Sequence, residues 1–342
     1  MLLKSKNGIN FLVDSKMELL FAIHSAFHRL ISSEGCIWIE SPNISYVNKA
    51  IELINIENQP KLCRYITEAW SSKDIIPRIA TVFDDNFNLC EEKITERIRE
   101  SFNYGDIYDF AKLIKSLANK INWNIFLETQ KEFYMELLNK VVQFPENLDI
   151  NDVVEFYGYS KSSYNYVITV LTNVAFGIED IDENVYCIHG FDYDEETKEF
   201  HIFYRLLENL FHEYSHPYVN PLIDNFFYKF TNINSFHEEA IKHDLPKYYS
   251  NKKETLLYEY FVRANAIVLS SKYTGVTQIL PSIQKKGFTY LQELANYIIT
   301  NKRQDTKYED FFYNELIDYF NTLPEKNIMI NKQKNIEQPK KM

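Results

Sequence analysis

The stretch Leu206 to His216, LLENLFHEYSH, constrains this chain more than any other. It contains His-Glu-x-x-His, with His212, Glu213 and His216 as the named positions. Residues four apart on a helix share a face, so the two imidazoles can point at one ion. The glutamate beside the first histidine can then reach a water at that ion as general base. The flanking residues supply the helix. Leu207, Leu210, Phe211 and Tyr214 fall at i, i+3, i+4 and i+7, an apolar stripe. Asn209, His212, Glu213 and His216 repeat that spacing as a polar stripe beside it. One face can pack on a core while the other lines a cleft. Pro217 follows at once, and the helix is expected to stop or kink near His216. The plain alternative, two surface histidines on an amphipathic helix, does not explain why Glu213 stands between them.

Composition excludes several classes of function. A chain of 342 residues that is 45% hydrophobic and 25% charged has material for one large or two moderate domains. The formal net charge is -11, and no Lys/Arg cluster stands out beyond the terminal Lys340-Lys341. Nucleic acid and anionic membrane surfaces are therefore not expected partners. The cysteines, Cys36, Cys63, Cys90 and Cys187, form no CxxC pair, so a thiolate zinc site is not expected and the thiols read as reduced. The apolar run Ile9 to Val13 is too short for a signal peptide and runs into Asp14, Lys16 and Glu18. No run approaches the ~18 apolar residues of a membrane span. The expectation is a cytoplasmic protein.

Before the motif the pattern is helical. Asp14 and Ser15 can cap a helix to about Ile31, and further helical segments lie near 43–56, 60–71, 88–102, 106–119 and 124–142. Trp38, Trp70 and Trp123 all fall in this region and read as core anchors. His24 and His28 are also four apart, but Ser25 follows His24 and no nearby acid suggests a further ligand, so a second metal site is not expected. Polar Pro145 to Asp149 marks a boundary. The division expected along the chain is a helical lobe over 1–145, a catalytic domain over 146–324 and a polar tail over 325–342.

Beyond the boundary the texture changes. Tyr164 to Leu171 and Val185 to His189 are aromatic and β-branched, and predict strands. Asp192 to Glu199 reads as a solvated acidic loop without the spacing of a calcium site, and Glu199 to Tyr204 as an edge strand or the entry to the motif helix. Another helix spans Glu254 to Leu269 and is apolar enough to be largely buried. Two more, about 281–300 and 306–322, close the fold.

A catalytic zinc takes three protein ligands and leaves a position for water. The extended pattern with a third histidine fails, because its positions hold Val219 and Leu222. A carboxylate on a second helix is the other solution. Glu259 is the leading candidate: it lies in the apolar helix, where an unpartnered carboxylate is costly, with Arg263 one turn on. Asp224, Glu238, Glu239 and Asp244 are competitors in loop-like or terminal positions. A plain Glu259–Arg263 structural pair remains the alternative to ligation.

HEYSH with a later glutamate in YEYFVRA resembles the gluzincin branch of the zincin metallopeptidases. VDSKMELL near the start, EFYGY at 155–159, HEYSHPYVNP and EYFVRA together resemble an uncharacterised bacterial domain-of-unknown-function family with a predicted zincin fold. What the resemblance implies is an α+β, zincin-like protein. It would be mostly helical with a small mixed sheet, an HExxH helix and a second helix bearing the third ligand. The function expected is zinc-dependent hydrolysis of a peptide or protein substrate. One Zn2+ per chain would be held by His212, His216 and Glu259, and its bound water activated by Glu213. Arg263 would orient the Glu259 carboxylate. Tyr218, Tyr248, Tyr249 and His243 are candidate donors to an oxyanion, and the sequence does not choose among them. The rival reading is a non-catalytic binding or scaffold protein whose metal site is structural or vestigial.

Overall fold

A tight hairpin starts the chain. Strands β1 (Leu2–Lys6) and β2 (Ile9–Val13) pair antiparallel with Lys6 opposite Ile9, leaving Asn7 and Gly8 as the whole loop. Both loop residues have positive φ, 48° and 79°, as the two-residue turn that matches strand twist requires. Gly8 is also needed for space, since a Cβ there would come within 2.3 Å of the Ile150 side chain. The computed structural model describes residues 2–31, 44–69, 75–102, 105–143, 147–172, 175–201, 206–242, 252–277 and 287–323.

Helix α1 (Ser15–Ile31) follows β2 directly. Asp14 caps it as the sequence suggests, its Oδ1 accepting from the Lys16 and Met17 amides at 2.8 and 3.1 Å. After it come α2 (Ser45–Ile54), α3 (Pro60–Ala69), α4 (Ile75–Ala80), α5 (Glu96–Glu100), α6 (Ile107–Lys120), α7 (Trp123–Thr129) and α8 (Lys131–Gln143). The single helix expected over 124–142 is thus two, separated at Gln130. Trp123 is fully buried and donates its indole N–H to the Ser15 carbonyl at 2.9 Å. Trp38 and Trp70 lie outside the described residues.

The five-stranded sheet has the order β1-β2-β3-β5-β4, with β3 spanning Ser163–Thr169, β4 Ala175–Glu179 and β5 Asn184–Gly190. Its inner pairs, β2 with β3 and β3 with β5, are parallel, and its outer pairs are antiparallel, so the sheet is mixed. Central β3 is buried at every position but its first, as expected of a strand covered on both faces, and its aromatic and β-branched residues do not alternate with exposed polar ones. The two strands expected from sequence are therefore present, and three more flank them. The first region is not all helix: its opening residues supply the β1–β2 edge of the sheet. The acidic segment is not a loop throughout either. Strands β6 (Asp192–Asp194) and β7 (Glu199–His201) form a small hairpin with an exposed turn.

The chain packs as two compact units, interleaved in sequence: residues 1–150 with 161–206, and 151–160 with 207–342. The sheet belongs to the first. The second is helical in its described residues: α9 (Asn151–Tyr157), α10 (Leu206–Phe226, bar its first residue), α11 (Ile233–Lys242), and helices Lys253–Thr274, Leu291–Asn301 and Tyr308–Phe311. The last continues as a π turn over Phe312–Leu316. The molecule is thus α+β, mostly helical with a small mixed sheet. No helix among the described residues is long and apolar enough to cross a membrane.

The two longest helices of the second unit, α10 and Lys253–Thr274, differ in how they are held. Helix α10 does not stop at His216. It runs through Pro217 and Pro221 to Phe226, although each proline lacks the N–H of an intrahelical bond. The burial of Tyr214, Tyr218, Val219 and Ile223 holds the helix together across them. The Lys253–Thr274 helix, by contrast, is buried around most of its circumference. At its centre Asn265 is sealed between two phenols, its Nδ2 donating to Tyr157 and Tyr308 at 3.1 and 2.8 Å. Gly275, at φ 67°, closes that helix in the left-handed conformation.

Candidate metal centre

The apolar stripe read from the sequence is the buried face of α10: Leu207, Leu210, Phe211 and Tyr214 are all at most 3% exposed. The adjoining stripe carries His212, Glu213 and His216 within one arc of roughly 100°. His212 and His216 turn their Nε2 atoms towards each other, 3.3 Å apart. Glu259 on the Lys253–Thr274 helix meets them. Its Oε2 lies 3.8 Å from His212 Nε2 and its Oε1 3.8 Å from His216 Nε2.

These separations test whether the residues suit a metal. Four ligands at about 2.1 Å around a tetrahedral centre stand about 3.4 Å from one another. The two imidazole nitrogens stand close to that value at 3.3 Å, each faces a different oxygen of the Glu259 carboxylate at 3.8 Å, and the set is two imidazoles with one carboxylate. His212, His216 and Glu259 could hold a metal ion, and among the described residues they are the one group of three or more such donors.

Electrostatics keeps His212 in a ligating form. Burial drives the His212 pKa well below the usual imidazole range, and the neighbouring Arg263 and His216 push it further down. The ring is therefore neutral, with a lone pair to give. Arg263 donates from Nη2 to Glu259 Oε2 at 2.6 Å, and its guanidinium also sits over the buried Phe288 ring at 5.0 Å. A buried carboxylate without such a partner would carry a large desolvation cost. Glu213 is itself only 8% exposed, an unusual place for a glutamate without a task.

Among the described residues, no other carboxylate candidate joins this group. Asp224 is exposed on α10 and accepts from the Tyr258 hydroxyl. Glu239 is paired with Lys242 at 2.6 Å, and Glu238 is exposed. Tyr218 is buried on α10. It follows His216 by two residues, about 200° round the helix, and its ring stacks on Tyr157 with centroids 4.1 Å apart. His243, Asp244, Tyr248 and Tyr249 lie outside the described residues. His24 and His28 do face each other, Nε2 to Nε2 at 2.9 Å, with the His24 pKa pushed down to about 3 by burial and then by His28. No third donor joins them among the described residues.

Asn220 in HPYVNP reads from sequence as a residue that shapes the cleft or makes a turn beside Pro221; the structure places it inside α10. His216 Nδ1 faces Asn220 Oδ1 at 3.2 Å. A signal for it exists: Asn220 continues the line His212, His216 by another four residues.

Fold and site together define a mostly helical α+β protein with a His-His-Glu group able to hold a metal ion. Residues 103–323 match the family described as domain of unknown function DUF4932, and the chain belongs to that family. The matched span contains the whole donor group. No curated protein and no solved structure matches the chain.

Proposed function

We propose that the chain is a zinc-dependent peptide hydrolase of gluzincin type, with His212, His216 and Glu259 as zinc ligands and Glu213 as general base. The observation that carries this reading is the convergence of two imidazole nitrogens, 3.3 Å apart, on the two oxygens of one carboxylate, each 3.8 Å from its histidine, beside a buried glutamate that ligation does not require. Two imidazoles and a carboxylate suit zinc, and three protein ligands leave a coordination position open. A zinc ion bound there would polarise a substrate carbonyl and lower the pKa of a coordinated water to about 7.

The chain's own residues then have distinct tasks. Glu213 takes a proton from the attacking water and returns it to the leaving amine, for which a carboxylate is needed at that position. Arg263 fixes the Glu259 carboxylate by its 2.6 Å bond. Neutral His212 presents its lone pair without first losing a proton.

The experiment pairs metal content with a peptide-library cleavage assay on wild type and Glu213→Gln. The expected outcome is one zinc per chain in both proteins. Cleavage should appear in the wild type, fall at least 100-fold in the variant, and stop in the presence of chelator. Full zinc with no cleavage of any library member by the wild type would favour the rival reading, a scaffold with a structural site.

A further inference from the structure

We infer that Asn220 is a positioning residue of the metal centre, holding the His216 ring so that Nε2 is the nitrogen presented to the ion. The inference rests on the metal-binding reading above and extends it to a residue outside the donor group.

An imidazole that ligates through Nε2 keeps its proton on Nδ1, and that N–H is then a donor needing an acceptor. Metal-bound histidines are regularly oriented in this way, the second nitrogen donating to an acceptor that fixes tautomer and ring angle. At His216 the geometry is in place. Nε2 faces His212 Nε2 at 3.3 Å and Glu259 Oε1 at 3.8 Å, while Nδ1 faces Asn220 Oδ1 at 3.2 Å. The amide oxygen, not the amide nitrogen, is the atom presented, which is the orientation a metal-bound ring requires. The placement follows from the helix: His212, His216 and Asn220 stand at successive four-residue steps, so each reaches the next along one face.

Helix energetics separates this role from a structural one. Asparagine is a poorer residue than alanine for a helix interior, and here it sits between Pro217 and Pro221. Were Asn220 there only to build α10, alanine would serve as well or better. The Asn220→Ala protein would then be as stable as the wild type, with metal affinity unchanged. The positioning role predicts the opposite sign for metal affinity while leaving the stability of the metal-free protein near wild type.

The test is zinc affinity by competition with a chromophoric chelator, on full-length wild type, Asn220→Ala and Asn220→Asp. We expect zinc affinity to fall about 10–100-fold in Asn220→Ala, the range typical for an outer partner of a ligating histidine. We expect Asn220→Asp, which keeps an acceptor oxygen at the same reach, to return close to wild type. Equal zinc affinity in wild type and Asn220→Ala overturns the role of Asn220 while leaving the metal centre standing. A wild type that binds no zinc overturns both. Should Asn220→Ala fail to fold, proton NMR of the zinc-loaded wild type decides. A slowly exchanging His216 Nδ1–H resonance is expected, and a freely exchanging one refutes the inference.

Discussion

Replacing Glu18 by glutamine gives a sharp test of how the first unit is held together. Glu18 lies in the VDSKMELL stretch, on α1, and is 1% exposed. Its Oε2 accepts from Tyr46 at 2.7 Å and from Tyr134, which ties α1 to α2 and α8. Burial pushes its pKa up to about 7 from an ordinary 4.5. Hydrogen bonds from Thr169, Tyr134 and Tyr46 oppose that rise, and Asp14 adds to it. The folded state therefore binds more protons than the unfolded chain between those two values. Stability from this group is fully present below about pH 4.5, falls as pH rises towards 7, and is flat above. At about 1.4 kcal/mol for each pH unit of the window, the loss is on the order of 3 kcal/mol. Glutamine cannot titrate, so Glu18→Gln removes this slope whatever fixed packing cost it adds. Urea unfolding at pH 5, 6, 7 and 8 measures it. Trp38, Trp70 and Trp123 all fall within residues 1–150, so tryptophan fluorescence reports the first unit. The wild-type free energy relative to the variant should drop by about 2–3 kcal/mol from pH 5 to pH 8. Parallel curves for the two proteins would refute the reasoning.

His212→Ala should abolish stoichiometric zinc binding, measured by metal analysis after gel filtration, because two remaining ligands do not hold the ion tightly. Glu259→Ala should lose most zinc affinity by the same measurement, whereas Glu238→Ala and Glu239→Ala should match wild type, one being exposed and the other paired with Lys242. Arg263→Ala should weaken zinc binding or turnover about 10–100-fold, the effect of losing the group that orients a ligand.

Much of the candidate centre was legible because its parts are helical and local. The stripe Leu207, Leu210, Phe211, Tyr214 becomes the buried face of α10, and its neighbour carries the histidines, as a repeat of 3.6 residues dictates. The helix around Glu259 was legible too, from its apolar length. Other elements were not. The strands at the start are too short to stand out by side-chain pattern, although Asn7-Gly8 between them is a hairpin signal. Proline rules predict a stop or a kink near His216; burial on both sides of the prolines outweighed the lost backbone bonds, and α10 did not stop there.

By itself the sequence determined the donors on α10, since an i, i+4 relation is set by backbone geometry within one turn. Only the tertiary structure decided which carboxylate would join them. Glu259 stands 43 residues beyond His216, and the sequence ranks it first while leaving Asp224, Glu238, Glu239 and Asp244 as competitors. What selects it is the packing of two helices that brings its oxygens to 3.8 Å from both imidazoles while Arg263 balances its charge. The sheet follows the same division. Residues 163–169 announce a strand through their side chains. Their pairing with Ile9 to Leu12, some 155 residues earlier, depends on closing a long loop around a core that no local pattern records.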